Sequence, residues 1–313
     1  MNSAFRSAVH GLLLALLAGH GVLHAEPFAW GVNSRGNLPD DQQVHALWRI
    51  DLATGESDYV GWTSFLDMEG LALDAEGTLY GADDESKTLV TVSTESGLAV
   101  AIANQRANFG VPIAEVLDLG MTFTCDGELL VSSDQRETLF TADPTDGMLT
   151  RIGDEGGLGA PITDIAAWGE AVYGIGQGLD GSGNSDSPFL YAIDAEAGTA
   201  EVIGPLGSAV APYANAGLAF DADGVLWALT DRRDNGSPDL PSEILRIDLD
   251  TGAATKVADA DVVGFESLAI APPGGCDRGA PPAVVVPTLD RTGLGVLALL
   301  LLAIGWTLLT QRR

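Results

Sequence analysis

The chain has 313 residues, enough for one large domain, with 44 acidic and 15 basic side chains and a formal net charge of −29. Every acidic residue falls between Glu26 and Asp290, so this stretch repels nucleic acid and anionic lipid and concentrates cations, which argues against a nucleic-acid partner. Three of the four histidines, His10, His20 and His24, precede Glu26; His45 alone remains, which argues against a His-rich metal site and leaves a Ser-His-Asp triad a single candidate base.

The first 25 residues read as a secretory signal: Arg6, an apolar run over residues 11–18, and small Ala25 at the expected cleavage point. An uncleaved anchor is the alternative, but the apolar core is short for it. Glu26 would then begin the mature chain.

From there a five-residue turn recurs five times, at residues 51–55, 93–97, 143–147, 194–198 and 248–252. Each copy opens with Asp or Ser and closes with Gly, and the copies start 42 to 54 residues apart. The opening side chain can bond the backbone two residues on, and Gly takes positive φ at little cost, so each copy closes a hairpin. Flanking runs such as 47–50, 57–60, 190–193 and 200–203 alternate apolar and polar residues, a strand signal. A second hairpin precedes most copies, at residues 70–80, 120–130, 164–173 (shortened) and 217–227. Acid-rich residues 221–224 are too short for an EF-hand loop and read as a turn.

Four strands per repeat, repeated at this period, predict an all-β, five-bladed β-propeller over residues 26–271, with six blades if one divergent copy is misread. The first repeat starts at its second strand, residues 28–32, and its missing innermost strand is expected at residues 266–270, closing the ring through both ends. A monomer is expected. The hairpins and inter-strand repeats resemble bacterial propellers of the NHL and lactonase-like superfamily.

The long polar connections at residues 33–44, 104–117, 176–187 and 230–242 should share one face, where loops on a rigid scaffold commonly carry binding. Glu69, Asp118, Asp164, Asn215 and Glu266 stand just before the innermost strands, so each blade would supply an oxygen ligand at the mouth of the channel, a set that suits Ca²⁺. The alternative is a solvated acidic rim. The resemblance to lactonase-like propellers, which have six blades, implies a catalytic Ca²⁺ held in the channel by Glu, Asp and Asn. Trp30, Trp48, Tyr80, Tyr173, Tyr191 and Trp227 recur at strand positions, as inter-blade core or, alternatively, a sugar-stacking surface. His45 reads as a surface residue. Cys125 and Cys276 both come after innermost strands; in an exported protein they can pair or remain thiols.

Residues 272–287 are rich in Pro and Gly and read as a linker without packed elements. Val286, Pro287, Thr288 and Leu289 then precede a charge-free run over residues 293–309, expected to form a transmembrane helix, and the basic end Arg312 and Arg313. This order, residues 286–313, resembles the IPTL-CTERM sorting signal of Gram-negative bacteria, although Thr292 and Gly293 stand where the family usually has Trp-Gly. The resemblance implies recognition and cleavage by an exosortase-like membrane protease. A plain C-terminal anchor is the alternative; both place the domain at the cell surface.

Two functions stand as expectations. With no G-x-S-x-G, H-E-x-x-H or P-loop pattern, the first is a surface binding or scaffold module for a protein or glycan ligand. The second is a Ca²⁺-dependent hydrolase or lactonase. A glycosidase using two carboxylates is a third reading, for which the sequence supplies no separation.

Overall fold

The computed structural model describes residues 27–33, 44–179, 184–185, 187–232 and 240–276. The signal segment, the sorting tail with its helix and the linker beyond Cys276 lie outside the described residues, among which no helix is long and apolar enough to cross a membrane. The described residues belong to one unit that ends at Cys276.

Five antiparallel sheets form the blades of a β-propeller. Blade 1 carries β1 (Phe28–Val32), β2 (Ala46–Asp51) and β3 (Ser57–Trp62); blade 2 carries β4 (Met68–Leu73), β5 (Leu79–Asp83), β6 (Thr88–Val92) and β7 (Ala99–Ala101). Blade 3 is β8 (Leu119–Phe123), β9 (Leu129–Ser133), β10 (Thr138–Ala142) and β11 (Leu149–Ile152). Blade 4 is β12 (Ile162–Trp168), β13 (Ala171–Gly176), β14 (Phe189–Asp194) and β15 (Thr199–Pro205); blade 5 is β16 (Ala216–Phe220), β17 (Leu226–Thr230), β18 (Pro241–Ile247) and β19 (Ala254–Val263). Strands pair in chain order within each sheet. The inner edge of three-stranded blade 1 is completed by the chain after β19, through antiparallel bridges Trp30 to Ala269 and Asn33 to Phe265.

The recurring turn does two jobs. In all five copies the closing Gly donates its N–H to the opening residue's carbonyl at 2.7–2.8 Å, with φ between 68° and 87°. The turns also seat tightly against neighbouring chain. A Cβ on Gly198 would lie 2.5 Å from the Ile152 carbonyl oxygen, and one on Gly252 would lie 2.4 Å from that of Gly204. Glycine there satisfies both the left-handed backbone and the close approach.

Four strands toward the middle of the ring meet water on neither face. β4, β9, β16 and β17 are buried at every position, and their sequences are near-continuous apolar runs. The core consists of five apolar clusters between neighbouring blades. Period-two alternation sorts β2 between two of them: Trp48 and Ile50 pack toward blade 5, Leu47 toward blade 2. Trp30, Trp48, Tyr80, Tyr173, Tyr191 and Trp227 all pack in or against these clusters, so they serve as core and not as a sugar-stacking surface.

The Pro/Gly-rich stretch begins inside this unit. Residues 271–274 line the lower mouth of the channel, Gly169 donates to the Gly274 carbonyl at 2.8 Å, and Cys276 is disulfide-bonded to Cys125 with Cα atoms 5.4 Å apart.

Candidate functional site: an acidic cup at the upper mouth

At the other mouth, where β4, β8, β12 and β16 begin, a small cavity is lined by Glu69, Asp118, Asp134, Glu266, Asn215, Thr163 and Leu119. It has room for about one water-sized occupant. Four of the five expected ring residues therefore meet there: Glu69, Asp118, Asn215 and Glu266.

Asp164 does not join them. It is 0% exposed, and its carboxylate accepts the backbone N–H groups of Met121 (2.9 Å), Ile165 (2.8 Å) and Leu218 (2.6 Å), tying blade 4 to blades 3 and 5. Burial raises its pKa well above the usual carboxylate range, against the pull of these three N–H groups. The cause of the difference is register. In blade 4 a β-bulge between Ile162 and Asp164 inserts Thr163, and it is Thr163 that reaches the cavity. The bulge between Met68 and Gly70 inserts Glu69 in the same way. Blades 3 and 5 have unbroken inner ladders, and there the residue preceding the strand, Asp118 or Asn215, lines the cavity.

Asp134 is not among the expected ligands. It comes directly after β9, is 2% exposed, and neither of its carboxylate oxygens accepts a hydrogen bond of good geometry among the described residues, with the Asp118 carboxyl and the Gln135 N–H beside it. Burial first, and then the charge of neighbouring Asp118, push its pKa up to about 9. Equivalent residues come after the second strand in other blades. The N–H of Asp84 bonds the carbonyl of Asp67 (2.8 Å), that of Asp134 the carbonyl of Asp118 (3.1 Å), and that of Asp231 the carbonyl of Asn215 (2.7 Å). The signal is present in the sequence as an Asp just past each second strand in blades 2, 3 and 5, one hairpin away from the expected ligands.

The cup extends toward blade 2. One carboxylate oxygen each of Asp67, Glu69 and Asp84 lie within 4.8 Å of one another. Burial, then the charges of Asp84, Asp83 and Asp118, raise Asp67 to about 6. Burial, then Asp118 and Asp67, hold Glu69 well above the carboxylate range, although Glu69 Oε2 also accepts the Leu119 N–H at 2.7 Å. Asp118 sits at the centre of these couplings with φ of 45°, in the left-handed region that Asp tolerates better than most residues. Lys87 compensates part of the charge: buried, it places Nζ 2.8 Å from Asp84 Oδ1 and donates to the Asp84 carbonyl. His45 stands nearby, half-buried, with Asp83 as its charged neighbour; burial lowers its pKa, so the imidazole is neutral near pH 7.

Chemically, the cup is a set of hard oxygen donors facing a space too small for an organic group. Carboxylates so placed must hold protons or a cation. The donor set fits Ca²⁺, which takes six to eight oxygens, and the unsatisfied Asp134 side chain is the observation that makes the fit specific. Glu69, Asp118, Asp134 and Glu266 would hold the ion through carboxylates and Asn215 through its amide.

No protein-family model and no curated protein matches the sequence. Solved structures similar to the chain include one from a nidogen–laminin complex, at 12% identity over 79% of this chain and 81% of that one, TM-score 0.47. A gluconolactonase of Xanthomonas campestris is similar at 13% identity over 78% and 86%, TM-score 0.43. A virginiamycin B lyase of Staphylococcus aureus is similar at 13% identity over 73% of both chains, TM-score 0.39.

Proposed function

We propose that this propeller is a binding module whose upper face seats a protein or glycan ligand over a cation-loaded acidic cup, with Ca²⁺ the expected ion. The observation behind this reading is Asp134, buried at the cavity wall with both oxygens unsatisfied, beside Glu69, Asp118 and Glu266. A cation there would neutralise the cluster and stiffen the loops that surround it. Export through the N-terminal signal and surface delivery through the sorting tail, with an exosortase-like protease as processing partner, belong to the same proposal. Mass spectrometry of the termini of the protein isolated from its host tests that part: a chain beginning at Met1 and ending at Arg313 overturns it.

A Ca²⁺ titration followed by thermal unfolding tests the site. At a free concentration a hundred times Kd, the ion stabilises by about 2.7 kcal/mol, a rise of roughly 5–10 °C for a domain of this size. Glu69→Gln and Asp134→Asn should each abolish the rise. Metal-free protein by elemental analysis, together with a melting temperature indifferent to Ca²⁺ and to chelation, overturns the reading. A glycan array and pull-down with loaded and chelated protein then identify the ligand class.

The second reading, a Ca²⁺-dependent lactonase or other hydrolase, is favoured by neutral His45 next to Asp83 at the edge of the cup, where it could serve as a general base. Turnover of lactone or ester substrates that disappears on chelation and in His45→Ala would select it; loaded protein that turns over none of them rejects it.

A further inference from the structure

We propose that the Cys125–Cys276 disulfide is the latch of the ring, a redox-sensitive element that keeps the blade 1 seam closed. The seam is where the propeller's two chain ends meet, and it is thinly bonded. Between inner and second strands, the other four blades pair five or six residues each. Across the seam there are two bridges among the described residues. Of these, the Trp30–Ala269 pair exchanges both backbone hydrogen bonds, at 2.7 and 2.9 Å. The Glu266 N–H reaches the Val32 carbonyl at 3.5 Å, and the Val32 N–H is satisfied by Ser267 Oγ at 3.1 Å instead of a backbone carbonyl. Four residues from Asn33 back to Trp30 face five from Phe265 to Ala269, so the inner segment bulges where a regular ladder would run.

The chain beyond the seam compensates. Residues 271–274 cross under the channel, Gly274 bridges Trp168, and the Trp168 ring leaves no room for a side chain at Gly274 or Gly275. Cys276 then joins Cys125 in the turn below β8, closing a covalent loop with a sequence separation of 151. The loop contains the whole inner segment of blade 1. While it is closed, residues 265–270 cannot leave the seam by more than a short distance; once it is open, the segment is held by the apolar contacts of Phe265 and Leu268, the two bridges, the hydrogen bonds with Val32 and Ser242, and the strap. Glu266 is part of that segment, so an open seam also removes one wall of the acidic cup at the opposite mouth.

A dithiol reductant supplies the chemistry. Its thiolate attacks one sulfur of the bridge, its second thiol resolves the mixed disulfide, and two electrons and two protons pass to Cys125 and Cys276 while the dithiol leaves oxidised.

Hydrogen exchange on the full-length protein tests the latch, comparing oxidised protein, protein reduced by a dithiol, and the Cys125→Ser/Cys276→Ser variant. Reduction is expected to speed exchange on the order of tenfold more in residues 28–32 and 265–270 than in residues 79–92 and 189–205, which lie away from both cysteines. The melting temperature should fall on the order of 10 °C. Unchanged exchange at the seam, or equal acceleration in all blades, overturns the proposal. If the double variant does not fold, the reduced wild-type protein decides the question.

Discussion

At the upper mouth of the channel, Glu69, Asp118, Asp134 and Glu266 face one another across a space the size of a water molecule. At the lower mouth, Leu73, Phe123, Phe220 and Ile270 line the wall, and residues 271–274 lie against them. The same four inner strands and the 265–270 segment produce both ends. The lower end is held by apolar burial and a covalent bond, neither of which depends on pH or ions. The upper end gathers like charges at close range, an arrangement that costs stability unless protons or a cation neutralise it. A sealed end lets the other end carry an unfavourable cluster without the blades spreading, so like charge is concentrated at one mouth.

That contrast can be tested from either side. The largest expected effect is Asp164→Ala, because Asp164 lies in an inner strand of the upper half yet works as a strut. Three buried N–H groups lose their acceptor, and a loss of about 3–5 kcal/mol is expected in chemical denaturation. The Ca²⁺ response of the folded fraction should persist, which separates Asp164 from the cup.

The next effect lies at the lower mouth. Trp168 is half-buried, stacks near Phe220 with ring centroids 5.5 Å apart, and covers Gly224, Gly274 and Gly275. Trp168→Ala should cost about 2–3 kcal/mol in the same assay, less than for a fully buried Trp, and should loosen residues 271–276 to proteolysis.

Changing pH acts on the carboxylates of the upper mouth. Burial and neighbouring charge raise the carboxyl pKa of Asp67 to about 6 and of Asp134 to about 9 in the folded protein. The folded state therefore holds more protons than the unfolded one above about pH 4, and stability falls as pH rises. The Asp67 contribution is lost through about pH 6, that of Asp134 through about pH 9. Exposed Asp143 and Asp248 have lowered pKa values, through hydrogen bonds from Thr145 and Thr251, so their opposite contribution is lost only as the pH falls through the acid range. Melting temperatures from pH 4 to 9 should thus decline without metal, and saturating Ca²⁺ should flatten the decline. A flat metal-free profile would remove the contrast between the mouths.

The smallest effect discriminates best. Asp134→Asn in metal-free buffer should change stability by less than about 1 kcal/mol at pH 4, where the wild-type carboxyl is protonated in the folded chain and still about half protonated in the unfolded one, and should raise stability progressively toward pH 9, because only the wild-type unfolded chain gains by ionising there. Paired denaturation curves at the two pH values check this.

The blade count and hairpins were legible in the sequence because turn chemistry is local. Asp51 and Gly55 need only each other, and the same five-residue solution appears wherever a third strand meets a fourth. The closing role of residues 266–270 was legible for a related reason: an edge left open at one end of the chain implied a partner at the other, which the structure bridges through Phe265 and Ala269. The cup was legible only in part. Counting back from the inner strands reaches Glu69, Asp118, Asn215 and Glu266, but it does not say which residue a bulge presents to the cavity, Glu69 in blade 2 and Thr163 in blade 4. A bulge at Thr163 turned Asp164 by one residue and gave it a structural role, while Asp134 entered from the neighbouring hairpin.

The repeat, its turns and the apolar alternation that sorts each strand's residues between two blade interfaces are written in the order of amino acids, since these rest on backbone preferences over a few residues. Ring closure, in contrast, chose which acids converge, brought Cys276 to Cys125 and laid a Pro/Gly-rich strap along one mouth. Those outcomes depend on where distant segments come together, and a one-residue slip in register is enough to turn a ligand into a strut.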